Sequence, residues 1–295
     1  MCTKCGGPYS YQFPNSRIIG GFEVPPHTRP FQVQVIGFYT QFNGTLCGGS
    51  LISPNYVLSA AHCIQGYPVS NVVVSVGDHN FLVDGDGEQY ILASSVLIHP
   101  LFNSTTAAYD YAIIKLSTAV IIPATNATTG IVCLPPDTTE QFVGTNLTVS
   151  GWGRFDNTIS NISSVLKATF LTSISNTQCA QSFAIGPYTL CAFKSGTSTC
   201  NGDDGGNQNW SSGSINKIII EKHIFEIFVS FVGPVTAIVN GKVTLVGIVS
   251  FAGQNCPKNL PVGFSRVSFQ KDWILSNTDA GSWQCNSTTV GKQLC

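Results

Sequence analysis

Charge is scarce in this sequence. Only 10% of its 295 residues are Asp, Glu, Lys or Arg, against about 25% in an average globular chain. The 14 basic and 15 acidic residues leave a formal net charge of -1. Such a balance offers no basic stripe to displace counterions from phosphates, which excludes nucleic acid as a partner. Long apolar runs are missing too. The longest uncharged one, Ile227 to Val239, contains Gly233-Pro234 and falls short of the roughly 20 residues that a membrane span needs, so no membrane association is expected. The opening Met1-Cys2-Thr3-Lys4-Cys5-Gly6 lacks the apolar core of a signal peptide and reads as an N-terminus cut short of its export leader. No CxxC pair stands near a second such pair or a His pair, which removes a zinc site. No repeat of fixed period is visible.

What is present points outward from the cell. Hydrophobic residues make up 43% of the chain, enough for at least one full-sized core, so disorder is excluded. Eleven cysteines imply disulfides and an oxidising compartment. Seven Asn-x-Ser/Thr sequons, at Asn43, Asn103, Asn126, Asn146, Asn161, Asn209 and Asn286, agree with passage through a secretory pathway and a glycosylated, secreted product. The recurring local unit is a short β-branched run bounded by Gly, Pro, Asn or Asp: Phe31–Ile36, Val72–Val76, Tyr90–Leu92, Ala112–Leu116, Leu147–Ser150 and Val243–Val249. These read as strands. One terminal helix is expected over Phe269–Leu275, with apolar residues at 269, 273 and 274. The Thr/Asn/Pro-rich stretch from Pro123 to Pro136 divides the strands into two sets of comparable size, which suggests two barrels and a linker.

Three short segments carry the chemistry: Ser59-Ala-Ala-His62-Cys63, Tyr109-Asp110-Tyr111, and Cys200-Asn-Gly202-Asp203-Asp204-Gly-Gly206. With Arg17-Ile18-Ile-Gly-Gly21, Cys47-Gly-Gly-Ser-Leu-Ile52, Gly151-Trp-Gly153 and Pro261–Val267, they closely resemble the chymotrypsin-like serine protease family over about residues 17–276. The resemblance implies an all-β fold of two six-stranded antiparallel β-barrels with a C-terminal α-helix. It implies a pro-segment at 1–17, a protease domain at 18–276 with barrels at about 18–135 and 136–276, and a Cys-containing tail at 277–295.

In that family an imidazole base, held in one tautomer by a buried carboxylate, activates a hydroxyl beside two oxyanion-binding N–H groups. His62 matches the base and Asp110 its orienting acid. Gly202 matches an oxyanion donor, as does the residue at 204. Asp203 matches the acid that pairs with the amine of Ile18 once a trypsin-like protease has cut after Arg17. The nucleophile's own position is Asp204, where the family has serine. A carboxylate has no proton for His62 to remove, so proteolysis should be lost. A paired-carboxylate reading of Asp203-Asp204 fails because adjacent residues rarely aim both carboxyls at one atom. Ser198 matches the floor of the substrate pocket, with Ser250, Phe251, Ala252 and Val262 along its walls. That makes a shallow, apolar pocket, or one filled in for want of catalytic duty.

Implied disulfides are Cys47–Cys63, Cys179–Cys191 and Cys200–Cys256, with Cys133 bonded to Cys2 or Cys5. Cys285 and Cys295 fall in the tail, outside the family's pattern, and are expected to pair with each other; eleven is odd, so one thiol, Cys2 or Cys5, is left over. No cofactor is implied. The loop Gly77–Glu88 has the length of the family's calcium loop, with Asp78 and Glu88 at its ends. Gly85 replaces one carboxylate, and an acidic turn is the simpler reading. Joining Gly205 to Gly233-Pro234 restores family-like text, which makes Gly206–Val232 an insertion. Its composition shifts toward residues with A/T-rich codons, and it reads as translated intron or a misassigned exon. If the protein carries it, a poorly packed hairpin or disordered flap is expected. Transcript sequencing across this region is expected to show the segment spliced out. A tryptic peptide running from Ile218 to Lys222 in the natural protein would refute that.

Two function classes follow. One is a secreted, inactive homologue that binds a protein or peptide through the protease surface. The other is an active serine endopeptidase whose sequence as given is defective. No serine codon becomes an aspartate codon by one base change, which favours the inactive homologue.

Overall fold

The computed structural model describes residues 5–6, 21–40, 43–83, 85, 87–123, 128–153, 163–195, 216–220, 223–229, 232–252 and 259–284. In chain order the strands begin with β1 (Phe22–Glu23), β2 (Gln32–Phe38), β3 (Asn43–Ser53), β4 (Tyr56–Ser59), β5 (Val72–Val76), β6 (Gln89–Ile98) and β7 (Ala112–Leu116). After a long connection come β8 (Asn146–Gly151), β9 (Lys167–Ile174), the short helix α1 (Asn176–Cys179), β10 (Thr189–Phe193), β11 (Asn216–Ile220), β12 (His223–Val229), β13 (Pro234–Val239), β14 (Lys242–Phe251), β15 (Val262–Arg266) and helix α2 (Lys271–Ser276).

Two closed barrels result, as the sequence implied. The first runs β3-β2-β5-β6-β7-β4 and closes through β3–β4, and the second runs β9-β10-β15-β14-β13-β8 and closes through β8–β9. Every pairing within them is antiparallel. Closure removes the free edges that a six-stranded sheet would otherwise expose.

Alternation decides what fills each barrel. On β2, Val33 and Val35 join Val57, Val74 and Ile114 in the first core. Gln32 and Gln34, on the opposite face, are buried as well, because the second barrel packs there and Ser150 Oγ donates to Gln32 Oε1 at 2.8 Å. The second core gathers Leu147, Val149, Leu171, Leu190, Val235, Val249 and Phe264. Each such side chain contributes about 1.5–3 kcal/mol of burial free energy. Hairpin β13–β14 turns on Asn240-Gly241, whose φ values of 51° and 74° are those a two-residue hairpin loop demands of its central pair.

The barrels are tied by more than packing. Cys133 in the connection lies along β14, where Leu245 N–H donates to its carbonyl at 2.8 Å, and its sulfur is bonded to Cys5. The terminal helix is shorter than the sequence pattern suggested: a 3₁₀ turn, Ser268–Gln270, precedes α2. Ile274 of α2 is fully buried in the core of the first barrel. Residues 277–284, read from the sequence as the start of a tail, stay on that barrel. Asn55 Nδ2 donates to Asp279 Oδ2 at 2.7 Å, and Gln284 Oε1 accepts from Leu134 N–H at 2.7 Å. Among the described residues no helix is long and apolar enough to cross a membrane.

The inserted segment does not stand apart from the sheet. Strands β11 and β12 pair antiparallel, from Asn216↔Ile227 to Ile220↔His223, and β12 pairs parallel with the start of β3, from Glu226↔Asn43 to Val229↔Leu46. Of the poorly packed hairpin and the disordered flap expected for a retained insert, a hairpin is what these strands form, and it extends the first barrel's sheet. The half of β3 that it covers is the half that β4 leaves unpaired, since β4 begins its pairing at Ser50. Beyond the insert the chain re-enters between the barrels in a very tight passage. A Cβ added to Gly48 would lie 2.1 Å from the carbonyl oxygen of Val232, and one added to Gly233 would lie 2.1 Å from that of Ser150. Only glycine fits at either position.

Candidate active site

Strand β4 ends at Ser59, and two fully buried alanines, Ala60 and Ala61, turn the chain into a 3₁₀ turn, Ala61–Cys63. This turn presents His62 between the barrels. Cys63 is bonded to Cys47 on β3, which fixes the turn to the sheet. On the other side, residues 99–111 fold back on themselves before β7, with His99 N–H donating to Tyr111 O at 3.0 Å. Asp110 sits at the centre of a three-residue reversal in which Tyr111 N–H donates to Tyr109 O at 2.8 Å. Tyr109 takes a positive φ of 53°, an unfavourable choice for an aromatic residue. Its ring is held against His99 and Tyr188, at centroid distances of 4.9 and 4.7 Å. Tyr111, fully buried, anchors the other flank through its hydroxyl, which donates to Arg266 O at 2.8 Å.

The two elements meet in a hydrogen-bonded pair. His62 Nδ1 lies 2.7 Å from Asp110 Oδ2, and the backbone N–H of His62 donates to Asp110 Oδ1 at 2.9 Å. The Asp110 side chain is fully buried, whereas that of His62 is 24% exposed. Asp110 thus fixes the imidazole's orientation through Nδ1 and the His62 backbone, the arrangement a general base needs. Ser250 on β14 donates through Oγ to Asp110 Oδ2 at 2.6 Å, and Ser265 on β15 donates to the carbonyl of Asp110 at 2.9 Å. Burial pushes the Asp110 carboxyl up, but the His62 imidazole and the hydrogen bonds from His62 and Ser250 outweigh it and leave the carboxyl below its ordinary value.

Among the sequence-predicted residues, the structure brings together His62, Asp110 and Ser250. Ser250 was expected along the pocket wall, and its hydroxyl is instead committed to the carboxylate. Ser265 was missed. Its residue type carries no signal of its own, and the role appears only when β15 is laid beside the turn at Asp110. Val262 is 2% exposed and belongs to the second barrel's core, while Ala252 packs against that core. The Phe251 ring covers Gly263 so closely that a Cβ there would be 2.1 Å from it, and it meets Phe183 edge-on at 5.4 Å.

Arg17, Ile18, Ser198, Cys200, Gly202, Asp203, Asp204 and Cys256 lie outside the described residues, as do Cys2, Cys285 and Cys295. The bonds Cys47–Cys63 and Cys179–Cys191 are formed as implied, and Cys133 takes Cys5. In the loop proposed for calcium, both Glu88 carboxylate oxygens accept backbone hydrogen bonds, from Gly85 at 2.6 Å and Gly87 at 3.1 Å. Asp78 is buried. No cluster of three or more potential metal ligands occurs among the described residues. Glu88 thus caps the backbone at Gly85 and Gly87.

Comparison with known proteins agrees with this geometry. The Trypsin family model matches residues 18–221. Brachyurin of Leptuca pugilator is 31% identical, over 88% of this chain and 98% of its own length. Chymotrypsin-like elastase family member 1 of Rattus norvegicus is 29% identical, over 88% of this chain and 89% of its own. Trypsin-3 of Salmo salar is also 29% identical, over 89% and 93%.

Proposed function

The chain belongs to the trypsin family of chymotrypsin-like serine proteases, and from that premise we propose that it is a secreted, proteolytically inactive member that acts by binding a protein or peptide. The observation that carries this reading is Asp204 in Cys200-Asn-Gly202-Asp203-Asp204-Gly-Gly206, where the family's motif places the nucleophilic serine. The base and its orienting acid are in working geometry, so the machinery that would activate a hydroxyl is intact and the hydroxyl is absent. A carboxylate in place of that hydroxyl has no proton for His62 to remove, so the acyl step has no nucleophile. What remains is a protease-shaped surface with disulfide-braced loops, suited to holding a partner without cutting it. Eleven cysteines and seven sequons support secretion. The test is labelling by a serine-directed phosphonate: no adduct is expected, and an adduct on an active-site hydroxyl would overturn the reading.

Processing between Arg17 and Ile18 is part of the same proposal. Because Cys5 is bonded to Cys133, the released segment should stay attached to the body. After limited digestion with trypsin, a gel run without reductant should show one species. Reduction should free the segment, and N-terminal sequencing should start at Ile18. A first cut elsewhere, with Ile18 still internal, would show that this segment is not the processing site.

A further inference from the structure

We propose that Asn103 carries an N-linked glycan on the loop that ends in Asp110. The sequon Asn103-Ser104-Thr105 is exposed throughout, at the Asn and at both following residues. Asn103 Oδ1 accepts hydrogen bonds from Thr105 N–H at 2.9 Å and Thr106 N–H at 3.1 Å. Both bonds use the carbonyl oxygen of the amide, and Nδ2 donates to no described residue. The backbone is held meanwhile by Asn103 N–H donating to Ala108 O at 3.0 Å. The side chain that must react is thus presented on a firm loop, with the hydroxyl that a transferase reads two residues on and also in solvent.

Two other described sequons contrast with it. Asn43 and Asn146 are exposed, but each opens a strand that carries its sequon hydroxyl into the fold. Thr45 is 5% exposed, with Oγ1 2.5 Å from Tyr67 Oη. Thr148 is half-buried on β8 between β9 and β13. As the barrels close, Asn43 and Asn146 cease to be acceptors, whereas Asn103 is an acceptor before and after folding. Leu101 beside it, 60% exposed, is an apolar side chain that a glycan shields from proteases.

The donor is a lipid-pyrophosphate-linked oligosaccharide. Asn103 Nδ2 forms a bond to the anomeric carbon of the sugar. The bond from that carbon to the pyrophosphate oxygen breaks, its electron pair leaves with the pyrophosphate, and the amide gives one proton to a base of the transferase. The inference rests on the proposed secretion.

The experiment is to express the full chain, with an export leader supplied, from glycosylating eukaryotic cells and to release glycans with an amidase that converts the glycosylated Asn to Asp. The peptide containing residue 103 should carry that conversion. Asn103→Gln and, independently, Thr105→Ala should each lose the mass of one glycan, and limited chymotrypsin digestion should then cut at Leu101 or Phe102. Recovery of Asn103 unconverted, or variants of unchanged mass, overturns the inference. Because the leader guarantees entry to the pathway, that failure is distinct from a failure to find the natural protein outside the cell, which would count against secretion.

Discussion

A panel of chromogenic peptides with apolar, basic and acidic residues before the scissile bond should show no turnover with this chain at neutral pH, before or after processing at Arg17. Acyl transfer in this family needs a hydroxyl whose proton passes to the imidazole as the new bond forms. At Asp204 there is no such proton, and an anhydride formed by carboxylate attack would not follow the ordinary acyl-ester path. Loss of the nucleophile in this type of site lowers kcat by about 10⁶-fold, a barrier increase of roughly 8 kcal/mol. Any residual rate should be indifferent to His62→Ala, since a base with no hydroxyl to activate contributes nothing. Turnover that disappears in His62→Ala would mean that another hydroxyl has taken the nucleophile's place.

Restoring serine by Asp204→Ser is not expected to rescue activity while the insert remains. Strand β12 runs beside β3 up to Leu46, one residue short of Cys47, whose disulfide partner Cys63 follows His62. Deleting residues 206–232 in the Asp204→Ser background, which rejoins Gly205 to Gly233, is the variant in which turnover should reappear.

The parts of this protein that were legible in its sequence are those set by local alternation. Four valines in the five residues of β5 can only be a buried strand, and the runs around Ile113 and Leu245 are equally plain. The site was legible in a different way, because His62 and Asp110 stand 48 positions apart and no local rule connects them; the resemblance of whole motifs did. What neither route supplied was the second ring of contacts. Ser250 and Ser265 reach Asp110 across separations of 140 and 155 residues, and nothing about a serine in a strand announces such a target. The tail was misjudged for a similar reason. Asp279 and Gln284 look like surface residues until Asn55 and Leu134 are found opposite them. The insert showed β-forming residues, but its partner, the start of β3 that β4 leaves uncovered, is visible only once the barrel has closed.

Replacing Asp110 should have the largest effect on stability of any change at the site. Asp110→Ala would strip the Nδ1 and backbone partners from His62 and the acceptor from Ser250, all within a buried setting, and breaking a buried pair of this kind costs about 3–5 kcal/mol. Asp110→Asn keeps the shape and some of the hydrogen bonds, and isolates the contribution of the charge. The folded carboxyl lies below its ordinary value, so the unfolded state binds a proton first as pH falls. The charge therefore contributes stability that is fully present above about 3.9, the unfolded value, and is lost as pH drops through the folded value. The stability gap between the natural chain and Asp110→Asn should accordingly narrow below about pH 4. Below the folded value, both side chains are neutral. Chemical denaturation across this range, with the midpoint read for both proteins, tests it. Parallel curves at every pH would show that the Asp110 charge does not stabilise the fold, and a gap that widened in acid would reverse the sign of the shift.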